Sequence, residues 1–257
     1  MTPILRPRPI SKFLQNRPRL ETIISQLDKG RLKLPMVSLE RLFPDFNSKP
    51  VSFYELPLGP WSTPLVDVAM LVKIALCAGS KSVMELGSYR GYTALALARH
   101  LSSEARIVTV DSNPQHGEAY CNGPFASRIE RRVASINSAT FANDARGSVD
   151  LLFLDADHSY TGVRHDTEAL LGLVSDHGYF VWHDYVNSGR FSGINGVPEF
   201  LHELSLKLPL ARIAGTWLAI YSPAWRSGAG AEAYRKAFVE SDNVPYADPW
   251  VSEIPRG

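Results

Sequence analysis

Lys81–His100, KSVMELGSYRGYTALALARH, decides how this chain is read. Ser82–Leu86 is a short apolar run of the kind that fills a buried parallel strand. Glu85-Leu86-Gly87-Ser88-Tyr89-Arg90-Gly91 then turns the chain, and Tyr92–His100 continues in helix-forming residues. A strand, a glycine turn and a helix start together make a nucleotide-sized site. The glycines let the backbone approach a ligand, and the first helical N–H groups face it. The dinucleotide fingerprint needs G-x-G-x-x-G, and this turn lacks it. Instead an acid, Glu85, sits at the strand end, badly placed for a pyrophosphate and well placed for an ammonium group. The pattern favours a ligand that joins an amino acid to a nucleoside.

With those residues in view, E-x-G-x-x-x-G after a strand resembles the first motif of class I S-adenosylmethionine-dependent methyltransferases. Glu85–Thr93 is closer still to the form in catechol O-methyltransferase-like enzymes. The resemblance implies S-adenosyl-L-methionine as cofactor and an α/β, Rossmann-like methyltransferase fold. That fold is a central, mostly parallel seven-stranded sheet with helices on both faces and an antiparallel terminal strand. It also implies that Thr93 bonds the methionine carboxylate, that Tyr89 packs on the cofactor, and that Ser135 approaches the adenine. Glu85, Gly87, Ser88, Gly91, Asp111 and Asp155 complete the expected cofactor set.

The remaining pattern agrees with alternating strands and helices. Strands are expected at Arg106–Asp111, Arg128–Val133, Val149–Asp155 and Gly178–Trp182, with a hairpin at Ala211–Ile213 and Thr216–Tyr221. Ser62-Thr63-Pro64 reads as a helix start, and that helix should bring Trp61–Thr63 to the cofactor pocket. Residues 1–60 are read as an N-terminal arm and lid, 61–225 as the cofactor-binding domain, and 226–257 as a C-terminal helix and tail. Eight Lys/Arg stand against Glu21 and Asp28 in residues 1–33, and Leu20–Leu27 is patterned as a short amphipathic helix.

A net charge of +1 over 257 residues gives no general nucleic-acid bias. Two cysteines exclude a disulfide framework or a cysteine-rich zinc site. No apolar run approaches the roughly 18–20 residues of a membrane span, and no secretory leader is visible. The expectation is a cytoplasmic protein with a small-molecule partner, neither nucleic acid nor membrane, and compatible with a homo-oligomer.

Chemistry concentrates at strand ends. Asp111 closes the second expected strand, where an acid can accept both ribose hydroxyls. Leu154-Asp155-Ala156-Asp157-His158-Ser159-Tyr160 follows another strand, and Trp182-His183-Asp184-Tyr185 the next. Those two ends should be neighbours, so Asp155 and Asp184 should converge. Two oxygen ligands with water and a substrate hydroxyl suit Mg²⁺, and a cation would favour the alkoxide. His158 is the candidate base, with Asp155 beside it. Asp157 or Ser159 has the plainer use of capping the helix at Tyr160.

The pair of motifs resembles metal-dependent O-methyltransferases, in particular a bacterial macrocin-type subgroup acting on sugars and natural products. The catechol enzyme carries Asp-Asn at the second motif where this chain has Asp184-Tyr185, so His183 is taken as the third metal ligand. Tyr185, Asn187, Arg190 and Asn195 are candidate acceptor contacts, placed in or beside a glycine-rich loop.

The leading reading is a Mg²⁺-assisted O-methyltransferase acting on a hydroxyl of a sugar, glycoside or natural product. An NAD(P)-dependent Rossmann oxidoreductase is the alternative, opposed by Glu85 and the absent fingerprint. A non-catalytic cofactor-binding member of the methyltransferase fold is another.

Overall fold

A computed structural model describes residues 34–54, 61–135, 141, 144–186 and 196–239. These described residues form one compact unit. Its strands are β1 (Met36–Val37), β2 (Ser82–Leu86), β3 (Arg106–Asp111), β4 (Ile129–Val133), β5 (Val149–Leu154), β6 (Val174–Trp182), β7 (Ala211–Ile213), β8 (Ala219–Tyr221) and β9 (Phe238–Val239). The main helices are α1 (Leu39–Leu42), α2 (Leu65–Cys77), α3 (Tyr92–His100), α4 (Glu118–Cys121), α5 (Tyr160–Leu170), α6 (Val197–Ser205) and α7 (Gly228–Lys236).

The described strands make one nine-stranded sheet in the order β4-β3-β2-β5-β6-β8-β7-β1-β9. From β4 to β6 every pairing is parallel, while β8 runs antiparallel to both β6 and β7. The seven expected strands are therefore joined by two short ones, β1 and β9, which pair with each other. Met36–Val37 lies in a proline-punctuated stretch, and its pairing with β7 is a long-range contact that a two-residue strand does not announce.

Alternation along the strands sorts the core. Val83, Ile107, Leu151, Phe153 and Val181 pack with the apolar residues of α2 and α3. Met84, Val108, Leu152, Phe180 and Trp182 pack with those of α5 and α6. Period two in the strands thus meets two helical layers, one on each face. The chain order reverses between β2 and β5, the point at which open α/β sheets leave a crevice beyond the strand ends. Among the described residues no helix is long and apolar enough to cross a membrane.

Candidate active site

The crevice is a cavity of about 850 Å³ that runs from the glycine turn to the ends of β5 and β6. Gly87 makes it possible. Its φ is +92°, and an added Cβ would lie 1.9 Å from the Asp155 carbonyl oxygen, so only glycine lets the β2 and β5 ends come this close. Gly91, at φ +84°, caps α3 and packs on the Tyr120 ring, 2.5 Å from where its Cβ would sit. Beyond it Tyr92 and Thr93, in the first helical turn, line the cavity, where helical N–H groups lack an intrahelical acceptor. Tyr89 holds a positive φ of 42°.

At one end of the cavity Asp111 gathers three donors. Its Oδ2 accepts from the Tyr89 N–H at 3.0 Å and lies 2.8 Å from His116 Nδ1, and its Oδ1 accepts from the Asn113 N–H at 2.8 Å. Burial works against the carboxylate, but the Asn113, His116 and Tyr89 hydrogen bonds outweigh it and hold the pKa below the usual value. Ser135 lines the same end. Glu85 sits differently. It is 1% exposed, its carboxyl accepts from Thr109, and Thr109 in turn bonds Ser88, which does line the cavity. Burial pushes Glu85 up to about 8, opposed by the Thr109 hydrogen bond and helped by the charges of Asp155 and Asp111.

At the other end four groups meet. His158 Nε2 is 3.2 Å from Asp155 Oδ1 and 3.2 Å from Asp184 Oδ2. His183 Nδ1 is 3.2 Å from Oδ1 of each of the same two carboxylates. Asp155, His158 and Asp184 bring their ligand atoms within 4.8 Å of one another, a spacing a metal ion could bridge. Asp184 adopts φ +59°, a conformation costly for a non-glycine residue and often found at functional sites.

Electrostatics follow from the crowding. Burial would raise Asp155, but the charge of His183, 3.2 Å away, and the hydrogen bond with His158 hold it well below the carboxylate range. Burial likewise opposes charge on His158, and the Asp155 hydrogen bond with the Asp155 and Asp184 charges overrides it, raising the pKa. His183 is raised further, its burial outweighed by Asp155, Asp184 and Asp67.

Asp157 lines the cavity while its Oδ1 accepts from the Ser159 N–H at 2.8 Å, and Ser159 caps α5 by accepting from the Gly162 N–H at 3.0 Å. Tyr185 is buried, its hydroxyl accepting from the Leu34 N–H at 2.7 Å, and it does not line the cavity. Asn187, Arg190 and Asn195 lie outside the described residues.

Three groups escaped the sequence reading. Pro64, not Ser62 or Thr63, is the N-cap of α2, and the Thr63 hydroxyl is spent on Asp155 Oδ2 at 2.9 Å. Asp67, 1% exposed, holds His183. Trp217 lines the cavity from the β7–β8 turn. The expected approach of Trp61–Thr63 to the pocket was the one available signal, and all three residues line it.

This strand order and crevice define a class I, Rossmann-like methyltransferase fold. Residues 84–185 match a family model described as a methyltransferase domain. The chain is similar to the catechol O-methyltransferase of Mycobacterium tuberculosis, 33% identical over 90 residues, covering 33% of this chain. The match spans 41% of that relative's length. In fold it is similar to the O-methyltransferase TomG of Streptomyces achromogenes, described in complex with SAM, at 18% identity and TM-score 0.51, covering 64% of this chain and 83% of that one. It is also similar to an O-methyltransferase of Bacillus cereus in complex with SAH, at 17% identity and TM-score 0.50, covering 72% and 90% of the two chains. The chain thus resembles class I S-adenosylmethionine-dependent O-methyltransferases.

Proposed function

We propose that this protein is an S-adenosylmethionine-dependent O-methyltransferase whose acceptor is a hydroxyl of a small molecule such as a sugar, glycoside or natural product. The observation that carries this reading is one continuous cavity with an acid-bearing strand end at each extreme, Asp111 at one and Asp155–Asp184 at the other. A nucleoside fits the first, and a hydroxyl that must lose a proton fits the second.

In this reading Asp111 accepts the ribose hydroxyls, Ser135 borders the adenine, and Tyr89 packs against the cofactor. Gly87, Ser88, Gly91 and Thr93 cradle the amino-acid end. Glu85 acts from beneath, through the hydroxyls of Thr109 and Ser88. S-adenosylmethionine, when bound, supplies an electrophilic methyl group for a single in-line displacement. His158 in its neutral form, which the flanking carboxylates make more basic, takes the acceptor proton as the methyl arrives, and the cavity walls hold the two reactants in line, which is where most of the rate originates.

Mg²⁺ is the cation expected from the sequence, and Asp155 and Asp184 are hard ligands that suit it. The imidazoles beside them suit it poorly, because Mg²⁺ takes oxygen donors and sheds water reluctantly. A divalent cation held there would lower the acceptor hydroxyl's pKa and fix its position. Residues 61–225 would carry this machinery, with 1–60 as arm and lid and 226–257 as helix and tail.

The test is transfer of isotope-labelled methyl from S-adenosylmethionine to a panel of hydroxylated glycosides and phenols. Label in an ether product supports the reading. Label in no hydroxyl acceptor, with transfer to amines or thiols instead, removes the oxygen specificity.

A further inference from the structure

Asp67 lies in the first turn of α2, where an acid ordinarily faces solvent, yet it is 1% exposed. Its Oδ2 is 3.0 Å from His183 Nε2, and its Oδ1 accepts from the Trp217 N–H at 3.4 Å. An ionised carboxylate only accepts, so Nε2 carries a proton toward Asp67, and a cation binding at Nδ1 would displace the second ring proton and take that lone pair. That Nδ1 is buried and makes no aligned hydrogen bond. It nevertheless stands 3.2 Å from Oδ1 of both Asp155 and Asp184. A first-row cation binds nitrogen and oxygen at about 2.0–2.2 Å, which puts neighbouring ligand atoms roughly 3.0 Å apart on an octahedron and 3.4 Å on a tetrahedron. The observed spacing lies between the two. The rings of Trp217 and Phe153 flank the imidazole at 5.9 and 6.2 Å between centroids.

We propose that Asp155, Asp184 and His183 hold one divalent cation as an oxygen, oxygen, nitrogen set oriented by Asp67, and that this set selects a borderline first-row cation such as Mn²⁺, Co²⁺ or Zn²⁺ over Mg²⁺. The inference deepens the methyltransferase reading and rests on it for the cation's place beside the acceptor. Hard Mg²⁺ gains little from an imidazole, whereas borderline cations gain much. A ligating histidine normally gives its other N–H to a carboxylate that fixes tautomer and ring angle, the arrangement Asp67 makes here. His158, with 42% of its side chain exposed, stays on the open side of the carboxylates for proton transfer.

The test uses the full chain, stripped with chelator and reloaded with Mn²⁺, and reads ¹⁴N modulation by pulsed electron paramagnetic resonance. One imidazole modulation is expected. It should persist in His158→Gln and vanish in His183→Asn. The ratio of Mn²⁺ to Mg²⁺ affinity should fall about tenfold in His183→Asn, and Mn²⁺ affinity about 10- to 100-fold in Asp67→Asn. No nitrogen modulation in the unaltered protein would overturn the proposal. So would a modulation lost in His158→Gln, or an Asp67→Asn variant that binds Mn²⁺ unchanged. If His183→Asn fails to fold, the comparison of unaltered protein with His158→Gln still decides which imidazole ligates. S-adenosylhomocysteine affinity, measured on the same samples, reports on the cofactor reading separately.

Discussion

Thr63 donates its hydroxyl hydrogen to Oδ2 of Asp155 at 2.9 Å, tying the residue before the α2 cap to the end of β5. The same carboxylate has its other oxygen 3.2 Å from both His158 and His183. Asp155 is thus fixed from three directions. Thr63→Val keeps the shape and removes the donor, at a cost of about 1.5–3 kcal/mol for a hydrogen bond to a charged group. Turnover should fall about tenfold or more at saturating cofactor, with S-adenosylhomocysteine affinity nearly unchanged. Steady-state kinetics beside calorimetry would separate these, and an unaltered kcat would detach Thr63 from the chemistry.

Asp111 offers both oxygens at the nucleoside end of the cavity while holding Tyr89, Asn113 and His116. Asp111→Ala should weaken S-adenosylhomocysteine about 10- to 100-fold, the equivalent of one or two charge-assisted hydrogen bonds. Calorimetric affinity equal to that of the unaltered protein would remove the ribose role.

The contact between Gly87 and the Asp155 carbonyl leaves no space for a methyl group. Gly87→Ala must separate β2 from β5 or strain a positive φ, so a loss of more than about 2 kcal/mol is expected. The midpoint of denaturant unfolding reads it. A midpoint within error of the original would mean that the strand ends part easily.

Glu85 gives a pH dependence with a definite sign. Its folded pKa is about 8 against 4.5 when unperturbed, so across that window the unfolded chain loses a proton that the folded chain keeps. Stability from this group is complete below the lower value and is lost as pH rises to the upper one, at up to about 1.4 kcal/mol per pH unit. Glu85→Gln removes the titration. Its melting temperature relative to the unaltered protein should therefore climb between pH 5 and pH 8. A difference constant across that range would contradict the buried, protonated carboxyl.

What the sequence made legible was local. The glycine turn, Asp111, and the Asp155 and Asp184 strand ends each sit within a few residues of an apolar run, so pattern and chemistry could be read together. Neighbouring strand ends then followed from topology. What escaped depends on contacts distant in sequence. Thr63 and Asp67 look like ordinary helix-start residues until the fold sets them against Asp155 and His183. Tyr185 read as an acceptor contact because it follows Asp184, but after the left-handed turn at Asp184 its hydroxyl reaches Leu34 rather than the cavity. Glu85 read as a direct cofactor contact, and only burial reveals that Thr109 and Ser88 intervene.

The most direct measurement is calorimetric titration with S-adenosylhomocysteine, with NADH as comparison and each run with and without a divalent cation. The predicted result is saturable binding of S-adenosylhomocysteine in a one-to-one ratio and no heat from NADH. Binding of NADH in its place, or no binding of S-adenosylhomocysteine under either condition, would contradict the methyltransferase reading.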